Sequence, residues 1–242
     1  MRMPRIHGTI KRRLLINYRV DPAVVQRLLP PPFHPKLHKG FAIAGICLIR
    51  LEGIRPHRFP RLVGLSSENA AHRIAVQWHD GTGQHEGVYI PRRDTGSLMN
   101  HLAGGRLFPG EHRRAAFDVV DDDGRITLKM RSADGQADID LVASTAPRFS
   151  ASSVFDAVDA ASAFFENGVN GYSATASGHR LDAIALSTAS WKVEPLDILA
   201  VRSSYYDDPS RFPEGSIAFD CGLIMRDIRH DWTALEGISL AS

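Results

Sequence analysis

Lysine is scarce in this chain. Of 242 residues only five are lysines, Lys11, Lys36, Lys39, Lys129 and Lys192, and no two of them adjoin. An amine nucleophile needs a lysine that is desolvated or set beside another cation, so adjacent lysines would have been the signal to look for. Cysteine is scarcer still. Cys47 and Cys221 stand far apart without CxxC spacing, which argues against a disulfide framework and against a zinc site. No apolar run reaches the roughly 18 residues of a membrane span. The basic opening MRMPRIHGTIKRR lacks the apolar stretch that comes next in a signal peptide. A formal net charge of +2 is too balanced for a nucleic-acid footprint. GxGxxG, GxxxxGK, GxSxG and HExxH are all missing, which removes the local support for nucleotide binding, serine hydrolysis and zinc proteolysis. The expectation is a cytoplasmic protein with no membrane or nucleic-acid partner, no metal and no other cofactor.

What is present is mostly strand. Residues 12–20, RRLLINYRV, read as one. Asp21 then caps a short helix with Pro22 at its first position, where a missing N–H is harmless, and Pro30-Pro31-Pro32 stops it. Residues 41–51, FAIAGICLIRL, are nearly all apolar and read as a strand buried on both faces. A long loop over 53–67 comes next, then the hairpin AAHRIAVQW-HDGTG-QHEGVYI. Asp94 is placed to cap a helix over 95–103. Residues 114–144 form a meander with Asp-Gly turns. Helical spacing predicts a helix over 153–166 capped by Ser152, and strands return over 170–206 and 216–228, with HDW closing the ordered part. The fold class is therefore α+β, mainly antiparallel β, as one domain over 1–242 with about three helices.

Residues 53–91 hold the densest set of ionisable groups among strand formers: Glu68, His72, His79, His85 and several arginines. A carboxylate at a strand mouth among apolar neighbours has a raised pKa and suits acid–base work, so Glu68 is the catalytic candidate. The structural alternative is a carboxylate that caps backbone N–H groups or pairs with Arg73. Arg12, His72 and Arg73 are the candidates for orienting a small organic acid or carbonyl ligand. A histidine on an apolar strand face, as His72 is, more often serves the core, and a basic strand start more often guards an edge.

The opening RRLLINYRVDPAVVQRLLPPPF, the segment GLSSENAAHRIAVQW, PGEHRRAAF and the late SSYYDDPSRFPEGSIAFDCGLIM resemble acetoacetate decarboxylase-like proteins, and within them the uncharacterised bacterial YqjF-like branch. The resemblance implies a cone-shaped β-barrel around a pocket, wrapped by further strands. It also implies a Schiff-base lysine after a proline with a second lysine beside it. Here that place reads Pro109-Gly110-Glu111, with neither lysine. The family's pocket glutamate corresponds to Glu68. A second family acid falls near Ala44 or Gly45 and is missing, and the substrate arginine falls near Lys11 or Arg12. The resemblance and the residues together imply a small-molecule pocket protein, lyase-, hydratase- or isomerase-like, with Glu68 as acid–base and no Schiff base. The alternatives are a non-catalytic ligand-binding or sensory module, or an interaction protein without a ligand. The sequence leaves a homo-oligomer open.

Overall fold

The computed structural model describes residues 5–57, 59–60, 64–98, 110–175, 177–240. Strand β1 is Ile6–Val20, followed by helix α1 (Pro22–Gln26), β2 (His34–Pro35) and β3 (Leu37–His38). Then come β4 (Phe41–Pro56), β5 (Leu65–Asp80) and β6 (Gly83–Thr95). The meander is β7 (His112–Asp122), β8 (Arg125–Ser132) and β9 (Asp138–Thr145). Helix α2 (Val158–Glu166) leads to β10 (Gly171–Ala174), β11 (Arg180–Thr188), β12 (Glu194–Ser203) and β13 (Ile217–Ser239).

Four long strands form a common wall in the order β13–β1–β4–β5, antiparallel throughout. At β6 the sheet forks. Tyr89 and Val88 pair in parallel with β10, while Arg93, Asp94 and Thr95 pair in parallel with β7. One branch runs β10–β11 and meets β13 again. The other runs β7–β8–β9–β12 and meets β13 through Glu194–Leu196.

Side chains alternate across a strand, so the wall has two buried faces. Leu14, Ile16, Ala44, Ile46, Ile74 and Val76 face the core that Leu128, Met130, Ile139 and Leu141 complete from the long branch. Leu15, Ile43, Cys47, Ala75, Cys221 and Leu223 face the other way, under Ala161, Phe164 and Phe165 of α2. This is why FAIAGICLIRL lacks alternation: from Ala42 to Leu48 neither of its faces meets water. Burying each α2 phenylalanine contributes about 2–3 kcal/mol.

Several sequence expectations hold in detail. The Asp21 carboxylate accepts from Ala23 N at 2.8 Å as an N-cap. At the β7–β8 turn Asp123 and Gly124 both have positive φ, 45° and 76°, the backbone that a tight hairpin turn needs and that Asp-Gly supplies.

Others do not hold. Only two helices lie among the described residues, not three, and the helix expected over 95–103 falls largely outside them. Asp94 is no cap there: it sits inside β6, fully buried, gripped by Arg92 Nε and Nη2 at 2.8 Å each and by Ser132 Oγ. Ser152 does not cap α2, which starts at Val158 after Ala157 with no side-chain cap. Buried Asp220 takes Ser153 Oγ at 2.7 Å and Val154 N at 2.8 Å, and these bonds hold the segment out of the helix. The 53–67 loop is shorter than expected, because β4 runs on to Pro56. HDW closes nothing, since β13 extends to Ser239.

The Tyr206 hydroxyl ties the loop after β12 to the wall. It receives Gly45 N at 3.0 Å and lies 2.8 Å from Gly45 O and 3.1 Å from Arg73 O, with the ring buried. Tyr206→Phe leaves these groups without that partner, and a loss of about 2 kcal/mol is expected in urea unfolding. Unchanged stability would show that water replaces the hydroxyl.

Candidate functional site

The register places Arg226 of β13 opposite Arg12 of β1, Arg12 opposite Arg50 of β4, and Arg50 opposite Glu68 of β5. Three arginines thus line up beside one carboxylate, and Asp121 of β7 adds a second. Arg12 Nη2 donates to Glu68 Oε2 at 2.8 Å, and Arg50 Nη1 lies 3.8 Å from Oε1. Arg226 grips Asp121 with two bonds of 2.8 and 2.9 Å, and Arg12 reaches it at 3.4 Å. Arg12 is buried and Glu68 nearly so. Burial pushes the Glu68 pKa up, against the opposing pull of Arg12 and Arg50. The structure therefore brings Glu68 and Arg12 together.

It does not bring His72 and Arg73 to them. Arg73 leaves the opposite face of β5, bonded through Nη2 to Asn17 Oδ1 and stacked 4.6 Å from the Phe165 ring centre. Burial draws its pKa down to about 10. His72 is fully buried against Tyr205 and Tyr206, at 4.5 and 5.6 Å between ring centres. Neither of its nitrogens has a hydrogen-bond partner among the described residues, and burial holds its pKa at about 3. His79 is exposed, and His85 closes the turn against Asp80. No cluster of three or more metal-ligating side chains occurs among the described residues.

The residue next to Glu68 points into a cavity. Asn69 lines a space of about 90 Å³ between β5 and β6, together with Arg93, Asp94, His112, Ala70, Ala71, Ile49, Leu51, Ile184 and Trp232. Glu68 is not among its walls. Asn69 is held in place: its Nδ2 donates to Ser67 Oγ at 2.9 Å and its Oδ1 accepts from Thr95 Oγ1 at 2.7 Å. Arg93 and His112 are register partners on the parallel β6–β7 ladder. Arg93 Nε donates to Ser173 Oγ at 3.1 Å, while its Nη2 is shielded from water without a hydrogen-bond partner among the described residues. Burial draws its pKa down to about 10, which still leaves it charged at neutral pH. Among the described residues, no ion pair involves Arg13, Arg73 or Arg93. The carboxylate in the lining, Asp94, is taken up by Arg92 and Ser132, so Arg93 has no ion-pair partner in it among the described residues.

Sequence reasoning missed Asn69, Arg93 and His112. Strand alternation was the available signal for Asn69. Nothing local marks Arg93 or His112, since the pairing that unites them joins strands parallel across the fork.

A family model described as an uncharacterised conserved protein, DUF2071 (COG2071), matches residues 8–213. The chain belongs to the DUF2071 family. No curated protein matches this DUF2071 chain. Solved structures do, at low identity. Acetoacetate decarboxylase from Legionella pneumophila aligns at TM-score 0.59 and 11% identity, covering 99% of the DUF2071 chain and 88% of the decarboxylase. An acetoacetate decarboxylase-like enzyme from Sphingomonas wittichii RW1 gives 0.61 and 13%, covering 96% and 94%. The enduracididine biosynthesis enzyme MppR complexed with pyruvate gives 0.57 and 14%, covering 100% and 92%. At these identities the likeness shows the fold, which is acetoacetate decarboxylase-like. The structure describes no helix long and apolar enough to cross a membrane.

Proposed function

We propose that this DUF2071 chain is a small-molecule pocket protein that takes a small organic acid into the cavity beside Arg93. In this reading the two branches from the fork in β6 wrap the wall as the cone-shaped barrel expected from the family resemblance. The carrying observation is the shielded, unpartnered Arg93 Nη2 facing a mostly apolar space. A buried guanidinium without a counter-charge is costly, and a ligand carboxylate would remove that cost. Asn69 and His112 line the same space. The space holds roughly three waters' share of volume, which suits a ligand of a few heavy atoms. Pyruvate is the first probe, because a fold relative binds it. Wild type is expected to bind it in calorimetry, and Arg93→Gln to weaken binding by about a hundredfold, the loss of charged hydrogen bonds in a shielded site. Equal affinity in the variant would remove Arg93 from the reading.

A second reading keeps Glu68 as the acid–base group with Arg12 orienting the substrate. It is supported by the raised Glu68 pKa and its partial access to water. It requires a ligand outside the cavity, and His72 and Arg73 would not take part in it.

Schiff-base chemistry has no support in either reading. No lysine lines the cavity. Lys11 and Lys192 are exposed, and bonds to Asp227 and Glu194 push their pKa values up, the wrong direction for a nucleophile. Gly110, at the place of the family lysine, has φ +76°, and a Cβ there would lie 2.6 Å from Ser173 Cβ. Incubation with acetoacetate and borohydride should give no covalent adduct by intact mass. A stoichiometric adduct on one lysine would sink this conclusion.

A further inference from the structure

The fork in β6 has a consequence for Arg93. Between its partners β10 and β7 the strand leaves an outer cleft of about 240 Å³, lined by Arg92, Arg93, Glu111, Arg113, Ser173 and Thr175. Arg93 lines this cleft and the inner cavity alike. It is the partition between them, and two directions are open to its guanidinium. The cleft offers a carboxylate, Glu111, which is exposed and only loosely paired with Arg113 at 3.7 Å. The carboxylate in the cavity lining, Asp94, is already bonded by Arg92 and Ser132. Glu111 is thus the loosely held carboxylate that can draw Arg93 outward, although Arg92 and Arg113 share the cleft; yet the Arg93 Nη2 is shielded from water.

We propose that Ser173 is the positioning residue that holds Arg93 toward the cavity. Ser173 is 3% exposed, and its Oγ accepts from Arg93 Nε at 3.1 Å. One bond at Nε fixes the plane of the guanidinium and leaves the Nη atoms for a ligand. Gly110 makes the arrangement possible. A Cβ there would come within 2.6 Å of Ser173 Cβ and 3.1 Å of its Oγ, and would lie 3.7 Å from Arg93 Nε. A glycine thus stands where the fold relatives are expected to carry a lysine, and the space it leaves is used by the serine–arginine pair. The inference rests on the ligand reading above for its meaning. The geometry it describes can be tested without a ligand.

The experiment compares wild type, Ser173→Ala, Glu111→Gln and the double variant. The first readout is hydrogen exchange at the Arg93 Nε–H, assigned by its loss in Arg93→Lys. Exchange should quicken about tenfold or more in Ser173→Ala, the scale of one hydrogen bond to a charged group. The second readout is pyruvate affinity, expected to fall about tenfold in Ser173→Ala and to recover in part when Glu111→Gln is added, because the outward pull is gone. A merely structural serine would not show that rescue. Unchanged Nε–H exchange in Ser173→Ala overturns the proposal whatever the binding data show. So does an affinity loss that Glu111→Gln fails to relieve. If wild type binds no pyruvate, the ligand reading fails, and the exchange readout still decides the role of Ser173.

Discussion

Lowering the pH from 7.5 to 5 is expected to remove about 4 kcal/mol of folding stability through two histidines. His72 is fully buried and His230 is 2% exposed. Both ring nitrogens of His72 lack hydrogen-bond partners among the described residues. Burial lowers the His72 pKa to about 3, helped by Arg92 and Arg211. Burial lowers that of His230 to about 4, helped by His7 and Arg13 and opposed by Asp231 and a hydrogen bond with the Ile228 backbone. In the unfolded chain both titrate near about 6.5. Above that value neither state binds the proton and the histidines contribute no pH dependence. Below it the unfolded state takes up two protons that the fold refuses, so stability falls by about 1.4 kcal/mol per group per pH unit. The loss continues until the pH drops through the folded values, about 4 and about 3. Paired carboxylates such as Asp121 and Asp231 have lowered values and lose their contribution below the ordinary carboxylate range, so they do not mask this window. Urea unfolding at pH 7.5, 6.5, 5.5 and 5 measures it, and His72→Phe should halve the slope. A flat profile across that range would mean that solvent reaches both rings.

Arg12→Ala carries the second large effect. Arg12 is 4% exposed and is the closest partner of Glu68, at 2.8 Å. Removing one member of a buried pair leaves the other without compensation and costs about 3–5 kcal/mol. The low end applies here, because Arg50 stays near Glu68 and Arg226 keeps Asp121. About 3 kcal/mol in a chain of this size lowers Tm by roughly 10 °C. The direction with pH is fixed by Glu68. Its folded pKa is already raised by burial, and losing Arg12 removes a group that holds it down. A carboxyl with a raised folded pKa favours the fold as the pH falls through that value, so the deficit of Arg12→Ala should shrink in acid. Carboxyl-carbon NMR should show Glu68 titrating higher in the variant. A deficit under about 1 kcal/mol at pH 7.5 would mean that the pair behaves as a surface contact.

Much of the fold is written in local pattern. Asp21-Pro22 starts α1, Asp123-Gly124 makes the β7–β8 turn, and the unbroken apolar run of β4 announces a strand between two cores. Glu68 and Arg12 also stood out in the sequence, and they do meet. What the sequence could not decide is which of two adjacent polar residues faces which compartment. Glu68 and Asn69 differ by one step along β5, and only the pairing with β4 and β6 assigns one to an ion row and the other to a cavity. The same holds for Asp94 and Ser152. Each has the chemistry of a cap, but Arg92 claims Asp94, and Asp220, 67 residues beyond Ser153, claims the start of the expected helix. The Asp21 cap and the Asp123-Gly124 turn depend on neighbours a few residues away, so the sequence alone determines them. The cavity depends on β6 taking β10 and β7 as parallel partners. Those contacts join segments far apart in the chain, and only the tertiary structure sets Arg93 beside His112, Ser173 and the space that Gly110 leaves open.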